Sequence, residues 1–279
     1  MTASQGKRER LHEILHECGS VLVGYSGGVD SVFLARVATD VLGRHRVLAV
    51  TGKSASVPSW MEDTAREVAA RFGIPWLEVP TDELSDPRYA ANPVDRCYFC
   101  KTELWARLAE VARGRGLRVV VDGSNADDVG DHRPGVVAAA EHGIRSPLLE
   151  AGLTKDEIRA WSRELELPTW DQPAAPCLAS RLPYGLAVTP ERLRQVERAE
   201  AGLRALGFRD FRVRHHGAVA RVEVAAEELG RVAPLRAEVA GAVRGAGFAR
   251  VLLDLQGYRR GALNEGLAPS RLVQLGARR

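Results

Sequence analysis

No stretch of this sequence is apolar for long enough to cross a membrane as a helix. Residues 1–10 are polar and lack the apolar core of a secretory leader. Cysteine is scarce: four in 279 residues, two of them in one short motif, which argues against a disulfide framework and for a cytoplasmic location. Net charge is also small, at +3, too little to mark a nucleic-acid binder. Many arginines alternate with glutamates along expected helices, as on solvated faces. Internal repeats and low-complexity segments are missing. So are Gly-x-x-x-x-Gly-Lys-Ser/Thr and Gly-x-Gly-x-x-Gly, which excludes the two commonest phosphate-binding turns. What remains is an ordinary globular composition, 45% hydrophobic and 27% charged, in a chain long enough for two domains.

The most informative segment is Tyr25-Ser26-Gly27-Gly28-Val29-Asp30-Ser31. It follows an apolar run at 21–24 and opens an amphipathic stretch at 32–42, which reads as buried strand, tight turn and helix N-terminus. Two glycines let the backbone approach an anion, and the helix start adds unpaired N–H groups and a positive dipole end. Ser26 and Ser31 supply hydroxyl donors, and Asp30 is suited to orient a loop amide or to bind Mg²⁺. Two glycines alone are more often a plain connecting turn; the whole hexapeptide after a buried strand favours a phosphate cradle. It resembles the PP-loop of ATP pyrophosphatases, which cleave ATP between the α- and β-phosphates and transfer AMP.

The first half alternates strand and helix. Strands are expected at 47–51, 76–79 and 117–122, and helices at 59–72 and 104–115. Such pairs imply a parallel sheet covered on both faces, with ligands beyond the carboxyl ends of the strands. The Ser26 loop, Thr51 and Asp122-Gly123-Ser124-Asn125 all fall at such ends. From about Pro190 the pattern changes to helix (191–206), strand pair (211–214 and 220–224), helix (227–246) and strand (250–254). The expected architecture is therefore an α/β parallel-sheet domain over 1–188 and a smaller α+β domain over 189–279.

Cys97 and Cys100 form a lone Cys-x-x-Cys pair, open to several readings: half a zinc site, a redox pair, an iron–sulfur half-site or chance spacing. A zinc ribbon needs a second pair, which is absent. Redox pairs usually open a helix in a different fold. Arg96 and Lys101 flank the pair and favour thiolates. Cys177 stands in a loop stiffened by Pro173, Pro176 and Pro183, close to Arg181, where a lowered thiol pKa is expected. Cys18 fits a buried structural role. If the two loops meet, three thiolates can hold a [4Fe-4S] cluster and leave one iron open.

Together the motifs resemble the LarE family of ATP-dependent sacrificial sulfur transferases, members of the PP-loop (adenine nucleotide alpha hydrolase-like) superfamily. The match rests on Ser26 to Ser31, Arg96-Cys97-Tyr98-x-Cys100-Lys101, Asp122 to Gly135, Cys177 to Gly185 and Asp254-Leu255-x-Gly257-Tyr258-Arg259, in that order. The resemblance implies ATP, Mg²⁺ and a pyridinium-3,5-biscarboxylic acid mononucleotide whose carboxylates become thiocarboxylates in nickel-pincer nucleotide synthesis. Ser26, Gly27, Gly28, Asp30, Ser31, Thr51, Gly123, Asn125, Asp127, Asp131, Arg133 and Arg214 become candidate nucleotide or substrate contacts. Asp127 and Asp128 are equally suited to cap a turn. Asp30, Cys177 and Arg181 become the candidate catalytic residues.

Sulfur comes from one of two sources in such a family. Cys177 gives up its own sulfur and becomes dehydroalanine, or Cys97, Cys100 and Cys177 hold a cluster that carries a sulfide. The presence of all three cysteines favours the cluster type, with a sulfide donor protein as a further partner. A homo-oligomer is expected from the same resemblance. The nearest rival, a PP-loop tRNA thiolation enzyme, would need a basic, aromatic-rich RNA surface, which is not evident, so no nucleic-acid partner is expected.

Overall fold

The computed structural model describes residues 3–129, 134–259 and 261–265. Its elements are α1 (Ala3–Cys18), β1 (Val21–Gly24), α2 (Val29–Leu42), β2 (Val47–Lys53), α3 (Ser59–Arg71), β3 (Trp76–Pro80), α4 (Pro87–Ala90), α5 (Arg96–Gly114), β4 (Val119–Val121), α6 (Pro134–Glu141), α7 (Pro147–Glu150) and α8 (Lys155–Glu164). There follow α9 (Pro190–Ala205), β5 (Phe211–His216), β6 (Val219–Val224), α10 (Leu229–Val232), α11 (Arg236–Gly245) and β7 (Arg250–Leu253).

β1 to β4 form one parallel sheet in the order β3-β2-β1-β4. Its central strand, Val21-Leu22-Val23, is fully buried, which explains a continuous apolar run where a half-exposed strand would alternate. One core packs α1, α2 and α8 against the sheet through Leu11, Phe33, Val37 and Trp161. The ring centroids of Phe33 and Trp161 are 4.8 Å apart, edge to face. Chain order runs outward from β1 through β2 to β3, then returns to the other side of β1 for β4. The reversal leaves a crevice at the carboxyl ends of β1 and β4, where such sheets bind ligands.

The second sheet has the order β5-β6-β7, with β5 and β6 antiparallel and β6 and β7 parallel. Phe211, Val213, Ala220, Val222 and Val224 face the α9–α11 core. That core also takes in Tyr89, Leu178, Ala179, Leu182 and Val188, so side chains from both sides of position 188 share one interior. A buried ion pair reinforces this joint. Arg181 Nε and Nη2 donate to the two oxygens of Glu200 at 2.8 Å each, and the Val213 N–H donates to Glu200 Oε1 at 3.0 Å.

Two expected elements differ. The helix expected at 104–115 begins at Arg96, so Cys97 and Cys100 lie in its first turns. Its opening, Arg-Cys-Tyr-Phe-Cys, shows no apolar period, and its Phe99 and Cys100 pack against the core of the second sheet. The helix expected at 227–246 is two helices, α10 and α11, separated near Pro234, whose missing N–H and ring interrupt the ladder.

Two substitutions test this framework. Glu200→Ala leaves the Arg181 charge buried and unpaired, and is expected to cost about 3–5 kcal/mol in urea unfolding. Gly27 has φ +76°, and an added Cβ would lie 2.8 Å from the Met61 carbonyl oxygen on α3. Gly27→Ala is therefore expected to lower stability by about 1–3 kcal/mol and to abolish nucleotide binding measured by calorimetry.

Candidate functional site

The loop between β1 and α2 is held by its own hydroxyls. The Ser26 N–H donates to Ser31 Oγ at 3.1 Å, the two hydroxyl oxygens lie 3.1 Å apart, and Ser31 Oγ donates to the Gly28 carbonyl at 3.1 Å. Gly28 caps α2 without a side-chain bond, so the first turn keeps donors for an anion. Thr51 serves as scaffold: it is buried, its hydroxyl donates to the Tyr25 carbonyl at 2.7 Å, and it accepts from Trp76 Nε1 at 2.9 Å. Burial pushes the Tyr25 phenol well above its ordinary pKa.

Across the crevice, a Cβ on Gly123 would lie 3.1 Å from both Asp30 Cβ and Ser31 N, so glycine allows β4 to close on the loop. Asn125 Nδ2 donates to Asp30 Oδ1 at 3.3 Å while its Oδ1 accepts from the Asp127 N–H at 3.0 Å. Asp128 closes the reciprocal cap on the Asn125 N–H, at 3.0 Å. Asp127 Oδ2 accepts from the Lys155 N–H at 2.8 Å, so Asp128 serves the local cap while Asp127 ties this turn to the start of α8. Ser31, Gly27, Gly28, Asp30, Gly123 and Asn125 thus come together; Asp131 and Arg133 lie outside the described residues.

The sequence reading missed Lys155. Its ammonium pairs with Asp30, both side chains being partly exposed. A lysine at the first position of a helix opposes the helix dipole, and the Asp30 carboxylate offsets that. Its backbone is pinned by a capping box, in which Thr154 N–H donates to Glu157 Oε2 at 2.9 Å. The Thr-x-x-Glu pattern at 154–157 was the available signal for a helix starting at this crevice.

The cysteines sit on a second locus, brought together by Asn92. Fully buried and at φ 56°, Asn92 donates through Nδ2 to the carbonyls of Pro183 (2.8 Å) and Leu186 (2.9 Å). Its Oδ1 accepts from Arg96 Nη1 at 2.8 Å. The start of α5 is thereby fastened to the segment that follows Cys177. Leu178 N–H donates to the Ser56 carbonyl at 2.8 Å, and Ser56 Oγ lies 2.8 Å from Tyr89 Oη, so β2's extension carries the Cys177 turn as well. The Cys100 thiol is pushed up by burial first, and further by the charges of Glu83 and Cys177. Burial therefore outweighs the Lys101 charge expected to ionise it. Tyr89 and Tyr184 border the same cysteines. Among the described residues no group of three or more acid, histidine or cysteine side chains is placed to hold a metal ion. Cys100 and Cys177 pack against the same core, and Cys97 lies on the same opening turn of α5 as Cys100.

Arg181 presents its guanidinium to Glu200 and, through Nη1, to the carbonyls of Pro176 (2.6 Å) and Cys177 (3.0 Å), so it shapes the cysteine turn. Arg214 donates to Glu223 Oε2 and to the Ser180 carbonyl, each at 2.9 Å. Arg212, also missed, donates to the Ala174 carbonyl at 2.6 Å and stacks 4.4 Å over Tyr258. Glu200 was legible in principle: it falls on the apolar stripe of α9 with Leu193, Val196 and Leu203, where an acid needs a buried partner. A cleft of about 550 Å³ between α3, residues 168–173 and the end of α9 touches none of these residues. The chemistry-bearing groups lie instead at the carboxyl edge of the sheet.

The NAD synthase family model matches residues 5–108, which hold the Ser26 loop and both Cys97 and Cys100. An uncharacterized protein of Synechocystis sp. is 45% identical over 94% of this chain and 98% of its own length. The pyridinium-3,5-bisthiocarboxylic acid mononucleotide synthase of Lactiplantibacillus plantarum is 36% identical over 96% of this chain and 97% of its own. An uncharacterized protein of Methanocaldococcus jannaschii is 26% identical over 86% of this chain and 90% of its own. With a glycine cradle and a cysteine turn both braced at the carboxyl end of β2, and a named relative matched along nearly its whole length, the chain belongs to the LarE family of PP-loop proteins.

Proposed function

We propose that this protein is an ATP-dependent sulfur transferase that turns the carboxylates of pyridinium-3,5-biscarboxylic acid mononucleotide into thiocarboxylates, a step in nickel-pincer nucleotide synthesis. The observation that carries this reading is one strand serving two loci. Thr51 of β2 braces the glycine loop, and Ser56 just beyond it holds the Cys177 turn.

A carboxylate resists attack because it is anionic and oxide leaves poorly. In the proposed reaction a substrate carboxylate oxygen attacks the α-phosphorus of ATP and pyrophosphate departs. The loop from Ser26 to Ser31 holds the pyrophosphate with backbone N–H groups and hydroxyls. Asp30, oriented by Asn125, would hold Mg²⁺, which spreads the phosphate charge. Lys155, beside Asp30, adds a mobile positive charge at the same place. A sulfur nucleophile at the Cys177 turn then attacks the acyl carbon, and AMP leaves with the former carboxylate oxygen. Arg181 acts here as a positioning residue, since it fixes the carbonyls on both sides of the Pro176–Cys177 bond. Arg214 and Arg212, on the same face of β5, are proposed to meet substrate phosphate or carboxylate by charge-assisted bonds.

Cys97, Cys100 and Cys177 would hold a [4Fe-4S] cluster, which would supply a carrier for sulfide. Each thiol must lose its proton to bind metal, and burial opposes that loss at Cys100. The reading includes a cytoplasmic location, a homo-oligomer and a sulfide donor protein, without a nucleic-acid partner.

Two measurements test it. Protein purified anaerobically is expected to show broad iron–sulfur absorption that Cys97→Ala removes. After turnover with ATP, Mg²⁺ and the pyridinium nucleotide, intact mass should show Cys177 unchanged and thiocarboxylate product. Loss of one hydrogen sulfide at Cys177 would replace the cluster by the cysteine as donor, and no sulfur-bearing product would remove the transferase. Separately, Lys155→Met is expected to weaken ATP binding in calorimetry about tenfold or more, the worth of roughly 1.4 kcal/mol. Unchanged affinity would take Lys155 out of the nucleotide site.

A further inference from the structure

The small C-terminal sheet ends in an edge that carries its own complement. Among the described residues, β7 is the outer strand of the order β5-β6-β7. Among the described residues, the two most exposed large hydrophobic side chains belong to it or follow it directly: Leu252 at 55% and Leu255 at 81%. An open strand edge beside apolar side chains is a template for pairing with another chain.

The pairing with β6 determines which backbone groups are free. The Arg250 N–H donates to the Ala218 carbonyl at 3.2 Å and the Asp254 N–H to the Val222 carbonyl at 2.9 Å. Alternate residues of a parallel strand turn their backbone groups the same way. Residues 250, 252 and 254 therefore face β6, while Val251 and Leu253 turn their N–H and C=O groups toward the open edge.

We propose that this edge is an interface with a second copy of this chain, β7 pairing antiparallel with its twin across a two-fold axis at Leu252. In that register Val251 opposes Leu253 of the copy on each side of the axis, so the outward N–H and C=O groups meet in hydrogen-bonded pairs. Leu252 faces its own copy as a non-hydrogen-bonded pair, the kind with closer side chains. Arg250 stands opposite Asp254 on the same face, twice over, and cross-strand opposite charges are favourable. Moving the axis to Val251 or Leu253 removes both charge pairs, so the charge pattern selects one register. A pattern that matches itself under two-fold rotation is what an isologous contact requires. The result is a continuous six-stranded sheet. Arg214, Arg221 and Leu252 occupy one row of one face, so the charged faces of both copies lie on the same side.

The test uses the full-length protein. Leu252→Cys would bring two Cα atoms to about 4.5 Å across the axis, within the range that a disulfide spans. Mild oxidation is expected to give a covalent dimer at least tenfold faster than in Ala237→Cys, an exposed position on α11. Equal rates overturn the proposal, as does the unmutated protein sedimenting as a monomer, the result if another part of the chain covers the edge. In sedimentation, Arg250→Asp is expected to weaken self-association at least tenfold, and adding Asp254→Arg to restore it. A double variant that stays dissociated while retaining its circular dichroism spectrum also overturns it.

Discussion

The structure turns on the buried pair between Arg181 and Glu200. Arg181 belongs to the short turn after Cys177; Glu200 lies inside α9, and the carboxylate also receives the Val213 N–H from β5. One ion pair thus ties the cysteine turn to the helix and the strand that define the second core. Both charges are almost wholly removed from water, at 4% and 6% side-chain exposure, so each depends on the other. Replacing both by apolar residues of similar volume is often neutral in stability, but here it would free the carbonyls of Pro176 and Cys177 from their donor. The pair specifies a turn more than it adds stability.

Much of the fold was legible because buried parallel strands show as apolar runs. Val21 to Val23 and Val47 to Val50 stand out for that reason, and glycine-rich turns mark where they end. The nucleotide loop was legible from its residues alone, since Gly27, Gly28 and the two serines have few other uses in that order. Legibility failed where a residue's purpose lies in a distant partner. Asn92 reads as an ordinary loop asparagine, yet it bridges Arg96 to the carbonyls of Pro183 and Leu186, about ninety positions away. Lys155 reads as a solvated helix residue until α8 brings it to Asp30. Glu223 and Arg214 look like surface charges on two short strands, but they are buried together.

The Cys97–Cys100 pair shows a different limit. Its neighbours Arg96 and Lys101 suggested ionised thiols, because charge can be read from sequence and burial cannot. Arg96 turns to Asn92 and stacks near Tyr184, 5.1 Å from its ring centre. Lys101 lies 5.0 Å from the ring centre of Trp105. Neither cation prevents desolvation from raising Cys100. The pair also opens a helix, a position usually associated with redox pairs in another fold.

Asn92 has one further consequence, which concerns chemical ageing. Asparagine commonly deamidates when the next residue's backbone nitrogen attacks the side-chain carbonyl. Here the next residue is Pro93, which has no N–H, and both side-chain atoms are engaged in a fully buried site. Conversion to aspartate would cost the Nδ2 donor that holds Pro183 and Leu186. The residue that fastens the start of α5 to the segment after Cys177 is thus shielded, by its neighbour in sequence, from the slow reaction that would loosen that joint.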